Sequence, residues 1–302
     1  MKDIIFDTDF GADCDDVMAL AYLIYAEKHL DTRIKAITFS NGNTDGIAAI
    51  RAFVRDAGRE PIPVGAPARA VPAYDAYCRQ LAELFGDASD REPAENAVSV
   101  LRRALADSNG AVICAVGAAT NIAALLESGA DEISPLDGVS LVREKCEKLV
   151  LMAGRFDGYV ERAEWNVLLD VKAAQTIVRL CPVPLVFLPF ETGMNIMTGG
   201  PIMKKYGATT PLSMAFELFP GVKDKGARPS WDPATAVYCV EGCREFFEES
   251  KPCIVNIADD GITTTVECDG GLHRVLTKAK DVSNEDIAAY VDECAIKIYE
   301  GR

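Results

Sequence analysis

The regular alternation of short apolar runs with longer amphipathic segments constrains the fold of this chain most strongly. Residues 4–8 and 34–40 are rich in β-branched and aromatic side chains, which is typical of buried strands. The segment at 17–30, between them, has helical periodicity and a nearly continuous apolar face. Strands and helices that alternate at this spacing form βαβ units. The sequence therefore predicts an α/β fold with an open, mostly parallel sheet flanked by helices and a Rossmann-like core.

The same patterns extend along the rest of the chain. We expect a short strand followed by a Pro-rich loop within 61–72, and a small C-terminal β section formed by the runs PCIVNIA, ITTTVEC and HRVLT. No repeat or linker interrupts the 302 residues, so we expect a single domain that spans 1–302. The remaining predicted strands are 111–116, 148–154 and 184–189, and the remaining predicted helices are 44–58, 95–108, 120–128, 171–180, 211–218, 232–240 and 284–300.

Charge and composition exclude several kinds of partner. A formal net charge of −15 argues against binding to nucleic acid or to an anionic membrane surface. No apolar run approaches the ~20 residues that span a bilayer, and the start MKDIIFDTD lacks the apolar region of a signal peptide. The ten cysteines do not cluster at zinc-binding spacing. We therefore expect a cytoplasmic protein with reduced thiols.

Carboxylate and amide side chains follow the predicted strands at the points where those strands end. Asp7 and Asp9 end the first strand, and Asn41 and Asn43 follow the second. In parallel α/β sheets, ligands bind outside the carboxyl ends of the strands. This edge carries many oxygen ligands and almost no Lys or His, and hard oxygen ligands select Ca²⁺ or Mg²⁺. The sequence therefore predicts a divalent cation site at this edge.

Each acidic or amide residue also has an ordinary structural explanation. Asp15 and Asp16 open a predicted helix, where the helix dipole favours acidic side chains. Asn43 can be a turn and N-cap residue, and Glu164 can be a solvated loop residue. Asp232 can be an N-cap, because a proline follows it. None of these explanations accounts for the clustering of acids at strand ends.

Several motifs resemble one enzyme family. DTDFGADCDDVMAL resembles the N-terminal signature of the inosine–uridine-preferring nucleoside hydrolases, D-x-D-P-G-x-D-D-x-x-A-[IL]. AITFSNGNT, AVGAATNIAALL, LVLMAG, AEWNVLLDVKAA and SWDPATAV are similar to further blocks of the family, and they occur in its order. The resemblance implies a Ca²⁺-dependent N-ribohydrolase of nucleoside salvage, which cleaves ribonucleosides, purine ribonucleosides above all, to ribose and free base. It also implies a homodimer or homotetramer.

The resemblance further implies roles for individual residues. Asp9, Asp16 and Asp232, with the backbone carbonyl of Val116, would bind Ca²⁺, and Asp9 would also be the general base. The sugar and base would be bound by a second set of residues: Asp13 or Asp15, Asn43, Met152, Glu164, Asn166 and Trp231.

The chain departs from the family pattern in the first motif. Phe10 replaces the usual proline, and two extra residues stand between Gly11 and the final Asp pair. Asp13 and Asp15 therefore compete for one role. The helix phase of DDVMAL matches the family pattern when Asp15 and Asp16 form the pair.

A second departure concerns the leaving base. Trp231 stands where many family members have a histidine thought to protonate that base, and neither His29 nor His273 is an obvious general acid. A tryptophan here resembles the purine-preferring members, because base stacking on an indole suits the larger purine ring.

Other functions remain open at this point. The missing histidine, and an asparagine missing before Glu164, are compatible with a relative that binds ribosides without hydrolysing them. A hydrolase of an uncommon riboside is also compatible with the motifs. DTDFG resembles, in addition, the D-x-D motif of haloacid-dehalogenase-like phosphatases, but that interpretation leaves AEWN, TNIA and SWDP unexplained.

Overall fold

The computed structural model describes residues 1–159 and 161–300. Its strands are β1 Lys2–Thr8, β2 Thr32–Phe39, β3 Val64–Gly65, β4 Ala111–Ala115, β5 Cys146–Met152, β6 Leu185–Leu188, β7 Met197–Thr198, β8 Arg228–Pro229, β9 Phe247–Glu249, β10 Cys253–Ile257, β11 Thr263–Glu267 and β12 His273–Lys278. Its helices are α1 Asp15–His29, α2 Gly46–Asp56, α3 Cys78–Leu84, α4 Ala97–Ala106, α5 Thr120–Leu126, α6 Gly138–Lys145, α7 Trp165–Leu169, α8 Val171–Leu180, α9 Phe190–Gly193, α10 Gly200–Tyr206, α11 Pro211–Leu218, α12 Val222–Lys225, α13 Trp231–Glu241 and α14 Asn284–Lys297.

A large, mostly parallel sheet forms the centre of the fold. Its parallel strands run in the order β3-β2-β1-β4-β5-β6-β12. The antiparallel strands β10 and β11 continue this sheet beyond β12, and β9 also pairs with β12. The predicted open α/β sheet is confirmed, and the predicted C-terminal β section is an extension of it.

The strand order reverses between β1 and β4. From β1 the chain continues outward to β2 and β3, whereas from β4 it continues in the opposite direction to β5 and β6. The loops that leave β1 and β4 therefore diverge and open a crevice at the carboxyl ends of these two strands. Asp9 follows β1 and Val116 follows β4, so both residues lie at this crevice.

Period-two alternation along β1 supplies both faces of the sheet with apolar side chains. Ile4 and Phe6 belong to one buried cluster, which includes apolar residues of α1, α2, α13 and α14. Ile5 belongs to a second cluster on the opposite face, with residues of α4, α5, α6 and α8. Successive side chains of a strand point to opposite faces, so an apolar run buried on both sides is expected for a central parallel strand.

Most of the predicted elements are present, with ends shifted by a few residues. The helices predicted at 171–180 and 211–218 agree with α8 and α11 to the residue. Within 61–72 the strand is only β3, at Val64–Gly65. Short helices such as α3, α6 and α10 were not predicted, because a few turns with little apolar surface give a weak periodic signal.

Two further observations concern the thiols and the membrane. The ten cysteines are free, and most are buried, as expected for small apolar core residues. Among the helices of the described residues, none has both the length and the apolar character needed to cross a membrane.

Candidate active site

A cavity of about 320 Å³ opens at the carboxyl ends of β1, β4 and β5. Almost all of the sequence-predicted site residues line it: Asp9, Asp13, Asp15, Asp16, Val116, Met152, Glu164, Asn166, Trp231 and Asp232. Asn43 is the exception. Six residues that sequence reasoning missed also line the cavity: Ala12, Tyr74, Trp165, Phe190, Phe219 and Arg228.

The two aspartates at the end of β1 have different environments. Asp7 is fully buried away from the cavity, where it accepts hydrogen bonds from Thr38 Oγ1 (2.5 Å) and Asn121 Nδ2 (2.8 Å). Burial raises the pKa of Asp7 to about 7, although both hydrogen bonds oppose this rise. Asp7 therefore joins β1 to β2 and α5, and leaves Asp9 as the carboxylate of this strand end that lines the cavity.

Asp9 lies against the first turn after β4. A Cβ atom at Gly117 would come 2.7 Å from Asp9 N and 2.8 Å from Asp9 Cβ, so only glycine allows the two loops to approach this closely. Burial raises the pKa of Asp9 to about 7, a backbone hydrogen bond lowers it, and the charges of Asp13, Asp7 and Glu164 raise it further. Burial and the neighbouring carboxylates therefore favour the protonated form of Asp9.

The residues inserted into the first motif form a well-held loop. Gly11 has a φ of +100° and donates its N–H to the Tyr77 hydroxyl (2.8 Å), which in turn donates to the Asp13 carbonyl (2.7 Å). Phe10 is fully buried, with its ring edge-on to Tyr77 at 5.4 Å. Phe10 therefore anchors this loop in the core at the position where the family pattern has proline.

Three buried carboxylates meet where α1 and α13 begin. Asp15, Asp16 and Asp232 each offer a carboxylate oxygen, and these atoms all lie within 4.8 Å of one another. Burial is the main cause that raises the pKa of all three side chains well above the usual range, and neighbouring carboxylates add to it. Like charges this close are stable only when protons or a cation neutralise them.

Each of these three carboxylates is held differently. Asp15 Oδ2 accepts the backbone N–H groups of Trp231 (2.9 Å) and Asp232 (3.1 Å). A side chain at the start of α1 thus provides hydrogen-bond acceptors for the first backbone N–H groups of α13. Asp16 Oδ1 accepts the hydroxyl of Thr8. Asp16 Oδ2 is buried without a hydrogen-bond partner in the part of the chain that the structure describes.

The interpretation of Asp232 as the N-cap of its helix is wrong. Ser230 occupies the N-cap position, and Asp232 lies in the first turn of α13 with its side chain buried in the carboxylate group. Asp15 and Asp16 are indeed the first two residues of α1, but they are buried, whereas acids that only respond to a helix dipole are usually solvated.

The donors present fit a hard divalent cation. They are all carboxylate oxygens, and the unpartnered Asp16 Oδ2 is a buried acceptor that a cation would satisfy. Of the ligands implied by the family resemblance, Asp16 and Asp232 belong to this group. Asp9 and Val116 line the same cavity outside it, and the Val116 carbonyl accepts Asn166 Nδ2 (2.7 Å).

Glu164 and Asn166 close the cavity on the β5 side. Glu164 is the buried N-cap of α7, so its interpretation as a solvated loop residue is wrong. Its Oε1 accepts Asn166 N–H (2.8 Å), and its Oε2 accepts the N–H groups of Gly154 and Val167 (both 3.1 Å). Burial raises the pKa of Glu164 to about 7 against these hydrogen bonds. Asn166 Nδ2 also donates to the Met152 carbonyl (3.0 Å), which ties α7 to the end of β5.

Asn43 does not line the cavity. Its Oδ1 accepts Asp45 N–H (2.7 Å) in a turn, and its Nδ2 donates to the Tyr74 carbonyl (3.2 Å). Asn41 is fully buried beside it. Its Nδ2 donates to the Asp9 carbonyl (3.1 Å), and its Oδ1 accepts Tyr74 N–H (2.9 Å). These contacts position Tyr74 at the cavity, while the contact of Asn43 with a sugar stays a prediction.

Aromatic side chains form part of the cavity wall. Trp231 stacks on Phe190 with ring centroids 5.4 Å apart, and its Nε1–H donates to the Phe190 carbonyl (2.7 Å). Gly193 leaves room for this arrangement, because a Cβ atom there would come 2.3 Å from Trp231 Cδ1. Trp231 is therefore fixed at the cavity by contacts within the protein.

Asp13 and Asp15 have separate partners. Asp13 forms an ion pair with Arg228, in which Nε donates to Oδ1 (2.9 Å) and Nη2 donates to Oδ2. Asp15 is bound instead by the backbone of α13. The only sequence signal for Arg228 is its position three residues before Trp231 in the late motif, and that signal does not reveal a partner more than 200 residues away.

Comparison with known proteins identifies the family. The family model described as inosine-uridine preferring nucleoside hydrolase matches residues 4–296. The chain belongs to this family. The protein is therefore a hydrolase that acts on N-glycosyl bonds. The substrates of this family are nucleosides. The interpretation as a haloacid-dehalogenase-like phosphatase is wrong, and the predicted family is confirmed.

Solved structures of other nucleoside hydrolases share the fold. A plant nucleoside hydrolase is 20% identical with a TM-score of 0.74, over 97% of this chain and 98% of that chain. A purine-preferring ribonucleoside hydrolase from Gardnerella vaginalis is 15% identical with a TM-score of 0.75, over 98% of each chain. An inosine-uridine preferring nucleoside hydrolase from Bacillus anthracis is 18% identical with a TM-score of 0.71, over 98% of this chain and 100% of that chain. We find no match among curated proteins.

No histidine lines the cavity of this nucleoside hydrolase family protein within residues 1–159 and 161–300. His273 lies in β12, where its Nδ1 accepts Val255 N–H (2.9 Å), and His29 ends α1 against Tyr25. A proton donor for the leaving base is therefore not supplied by either histidine.

Proposed function

We propose that this protein hydrolyses the N-glycosidic bond of purine ribonucleosides in a Ca²⁺-dependent reaction that releases ribose and free base. The group of three buried carboxylates Asp15, Asp16 and Asp232 carries this proposal, because their oxygens lie within 4.8 Å of one another beside Asp9. Such a group binds a hard divalent cation readily, and the buried Asp16 Oδ2 has no hydrogen-bond partner among the described residues.

The metal would be held by Asp16 and Asp232, together with Asp9 and the Val116 carbonyl at the same cavity. When bound, Ca²⁺ supplies a positive charge that makes a coordinated water more acidic and that can bind the vicinal hydroxyls of a ribosyl group. Asp15 would stay free to bind the sugar through the oxygen that does not accept α13 backbone N–H groups.

Asp9 is the proposed general base. It lines the same cavity as the proposed metal ligands Asp16 and Asp232, so its carboxylate can take a proton from a water at this site. The attacking water gives its hydroxyl to the anomeric carbon and its proton to Asp9, and the electron pair of the broken C–N bond leaves with the base. The nearby carboxylates stabilise the positive charge that develops on the sugar ring.

The aromatic side chains of the cavity wall support a preference for purines. Phe190, Phe219 and Trp231 line the cavity with aromatic surface, and base stacking on such a surface contributes ~1–3 kcal/mol per base. A two-ring base covers more of this surface than a pyrimidine does. The relative from Gardnerella vaginalis that is described as purine-preferring has the same fold.

We extend the proposal to the cellular context. The free, mostly buried cysteines support a reducing, cytoplasmic location. In such a location, release of free bases from nucleosides fits a role in nucleoside salvage. A homodimer or homotetramer is part of the proposal on the family resemblance alone.

The test is a reducing-sugar assay with inosine, guanosine, adenosine, uridine and cytidine, with added Ca²⁺ and after exhaustive chelation. We expect purine riboside turnover that disappears on chelation and returns with Ca²⁺. Asp9→Asn should lower kcat by about 10²–10⁴-fold, the usual contribution of a general base. Asp292→Asn is the control, because Asp292 is also a buried acid but lies on α14 away from the cavity.

A second candidate is a protein that binds ribosides without hydrolysing them. The absence of histidine among the lining residues of the described chain favours it. Riboside binding by calorimetry without any ribose release would support this candidate and refute the hydrolase. Turnover of uridine alone would retain the hydrolase and contradict the stacking argument.

A further inference from the structure

The lining of the cavity contains one positive charge. Arg228 is the only Lys, Arg or His among the lining residues of the described chain, whereas six of the other lining residues are acidic. Nothing in the proposed hydrolysis so far uses this residue. A buried or half-buried arginine at a ligand cavity needs a reason, because its desolvation is costly unless its donors are used.

The guanidinium of Arg228 is fixed on one edge and on its face. Asp13 accepts from Nε (2.9 Å) and from Nη2, and the Cζ atom lies 4.8 Å from the Phe219 ring centroid and 5.6 Å from that of Trp231. The side chain is 26% exposed. Within residues 1–159 and 161–300, Nη1 donates to no protein acceptor. Arg228 therefore retains N–H donors, those of Nη1 among them, that can bind a planar base in this cavity.

The charge of Arg228 is permanent. Burial acts to lower the pKa of its guanidinium, but the hydrogen bond and charge of Asp13, together with Asp15, more than offset this and raise it overall. Arg228 therefore cannot act as the proton donor that a histidine provides in other family members. It can only donate hydrogen bonds and stabilise negative charge.

We propose that Arg228 is a catalytic residue that binds the leaving base and selects purines that carry a 6-oxo group, as in inosine and guanosine. This inference rests on the proposed hydrolase function and deepens it. A guanidinium has five donors and no acceptor. The O6 and N7 atoms of a 6-oxopurine form an acceptor pair that matches it, whereas adenine presents an amino donor in place of O6.

The same contact promotes the reaction. As the bond between the anomeric carbon and N9 breaks, its electron pair moves into the purine ring, and the negative charge is shared with N7 and O6. The N–H donors of Arg228 stabilise this charge more strongly than they stabilise the neutral base of the bound substrate. The departing purine anion then takes a proton from solvent, while the proton of the attacking water goes to Asp9.

Asp13 is the positioning residue for this contact. It belongs to the loop with the two additional residues, so the ion pair with Arg228 depends on that insertion. Asp13 occupies the Nε edge of the guanidinium and thereby directs the remaining donors away from itself. Asp13→Asn keeps one acceptor and should lower the inosine preference less than loss of Arg228 does.

The experiment compares Arg228→Gln with the native protein on inosine, adenosine and 4-nitrophenyl β-D-ribofuranoside. The nitrophenolate leaves without assistance, so its release reports on the sugar and water steps alone. We expect kcat/KM for inosine to fall by about 10²-fold, the usual effect of losing one transition-state donor. The loss should be below about tenfold for adenosine and below about threefold for the nitrophenyl riboside, because neither needs this donor pair.

Arg155→Gln is the matched control. Arg155 also forms an ion pair, with Asp157, and its Cζ lies 5.0 Å from the Phe190 ring centroid, but it does not line the cavity. The Arg155→Gln variant should leave the ratio of inosine to adenosine turnover unchanged. Arg228→Lys keeps the positive charge but removes the planar set of N–H donors, so it should lose part of the inosine preference.

Three results would overturn the inference. An equal loss on all three substrates would show that Arg228 only maintains the shape of the cavity, and thermal melting of the variant would show whether the fold itself is lost. An unchanged inosine to adenosine ratio in a folded Arg228→Gln variant would remove the base contact while leaving the hydrolase intact. If the native protein releases no sugar from any of the three ribosides, the proposed function fails, and this inference fails with it.

Discussion

Asp16→Asn should stabilise the protein when divalent cations are removed and should lose that advantage when Ca²⁺ is present. Asp16 is fully buried, and its carboxylate lies within 4.8 Å of ligand atoms of Asp15 and Asp232. Asparagine is close to aspartate in shape, and its Oδ1 can still accept the Thr8 hydroxyl that Asp16 accepts. The substitution therefore removes charge with little change in packing.

The magnitude follows from the separation of the carboxylates. At 4.8 Å and an effective dielectric constant of ~20, two unit charges repel by about 3 kcal/mol. Asp16 takes part in two of the three pairs. Protonation already relieves part of this repulsion, since the pKa values of all three groups are raised, so we expect a gain of about 2–4 kcal/mol at pH 8. For a chain of 302 residues that corresponds to a rise in Tm of roughly 3–6 °C.

The sign of the pH dependence is fixed by the same shifts. Burial, followed by the charges of Asp9 and Asp15, raises the folded-state pKa of Asp16 above the value in the unfolded chain. The folded state then binds more protons than the unfolded state, so stability falls as pH rises through this window. Asp9, with a folded pKa of about 7, adds to the same loss. The advantage of Asp16→Asn should therefore be small near pH 4 and should grow towards pH 8.

The assay is thermal and urea unfolding of the native protein and the variant between pH 4 and 8, in chelator and in saturating Ca²⁺. Asp292→Asn is the matched control, because burial also raises the pKa of Asp292 to about 7 but no second carboxylate contacts it among the described residues. Its effect should be the same with and without Ca²⁺. If Asp16→Asn behaves like this control, or gives no stabilisation in chelator, the three carboxylates are not a repulsive group relieved by a cation.

Two other substitutions test the geometry around the cavity. Gly117→Ala places a Cβ atom 2.7 Å from Asp9 N. It should therefore lower the free energy of unfolding in urea by about 1–3 kcal/mol and lower riboside turnover. Native stability in this variant would contradict the close approach of the two loops. Glu164→Gln replaces one oxygen that accepts backbone N–H groups, among them Val167 N–H (3.1 Å), with an NH₂ group, so it should lower the free energy of unfolding by about 1 kcal/mol. The exposed Asp157→Asn, by contrast, should change that free energy very little.

The sequence by itself determined the sheet and the edge at which the site forms. The continuous apolar run of β1 identifies a central strand, because a strand buried on both faces needs apolar side chains on both. Asp9 and Val116 then follow directly, since the carboxyl ends of neighbouring parallel strands meet at one edge. The motifs that identify the nucleoside hydrolase family lie at these same strand ends. Local residue patterns were sufficient for the sheet and its edge, whereas the family was inferred from the resemblance of the motifs.

Only the tertiary structure shows which groups each carboxylate contacts. The helix phase of DDVMAL favours Asp15 and Asp16 as the pair, but the local sequence does not reveal their partners. Asp13 pairs with Arg228 in β8, and Asp15 accepts the backbone N–H of Trp231 at the start of α13, each more than 200 residues away. Asn43 was expected in the cavity, but a turn with Asp45 holds its side chain outside. Periodicity fixes the direction in which a side chain leaves its own element, whereas a contact between distant elements depends on how those elements pack.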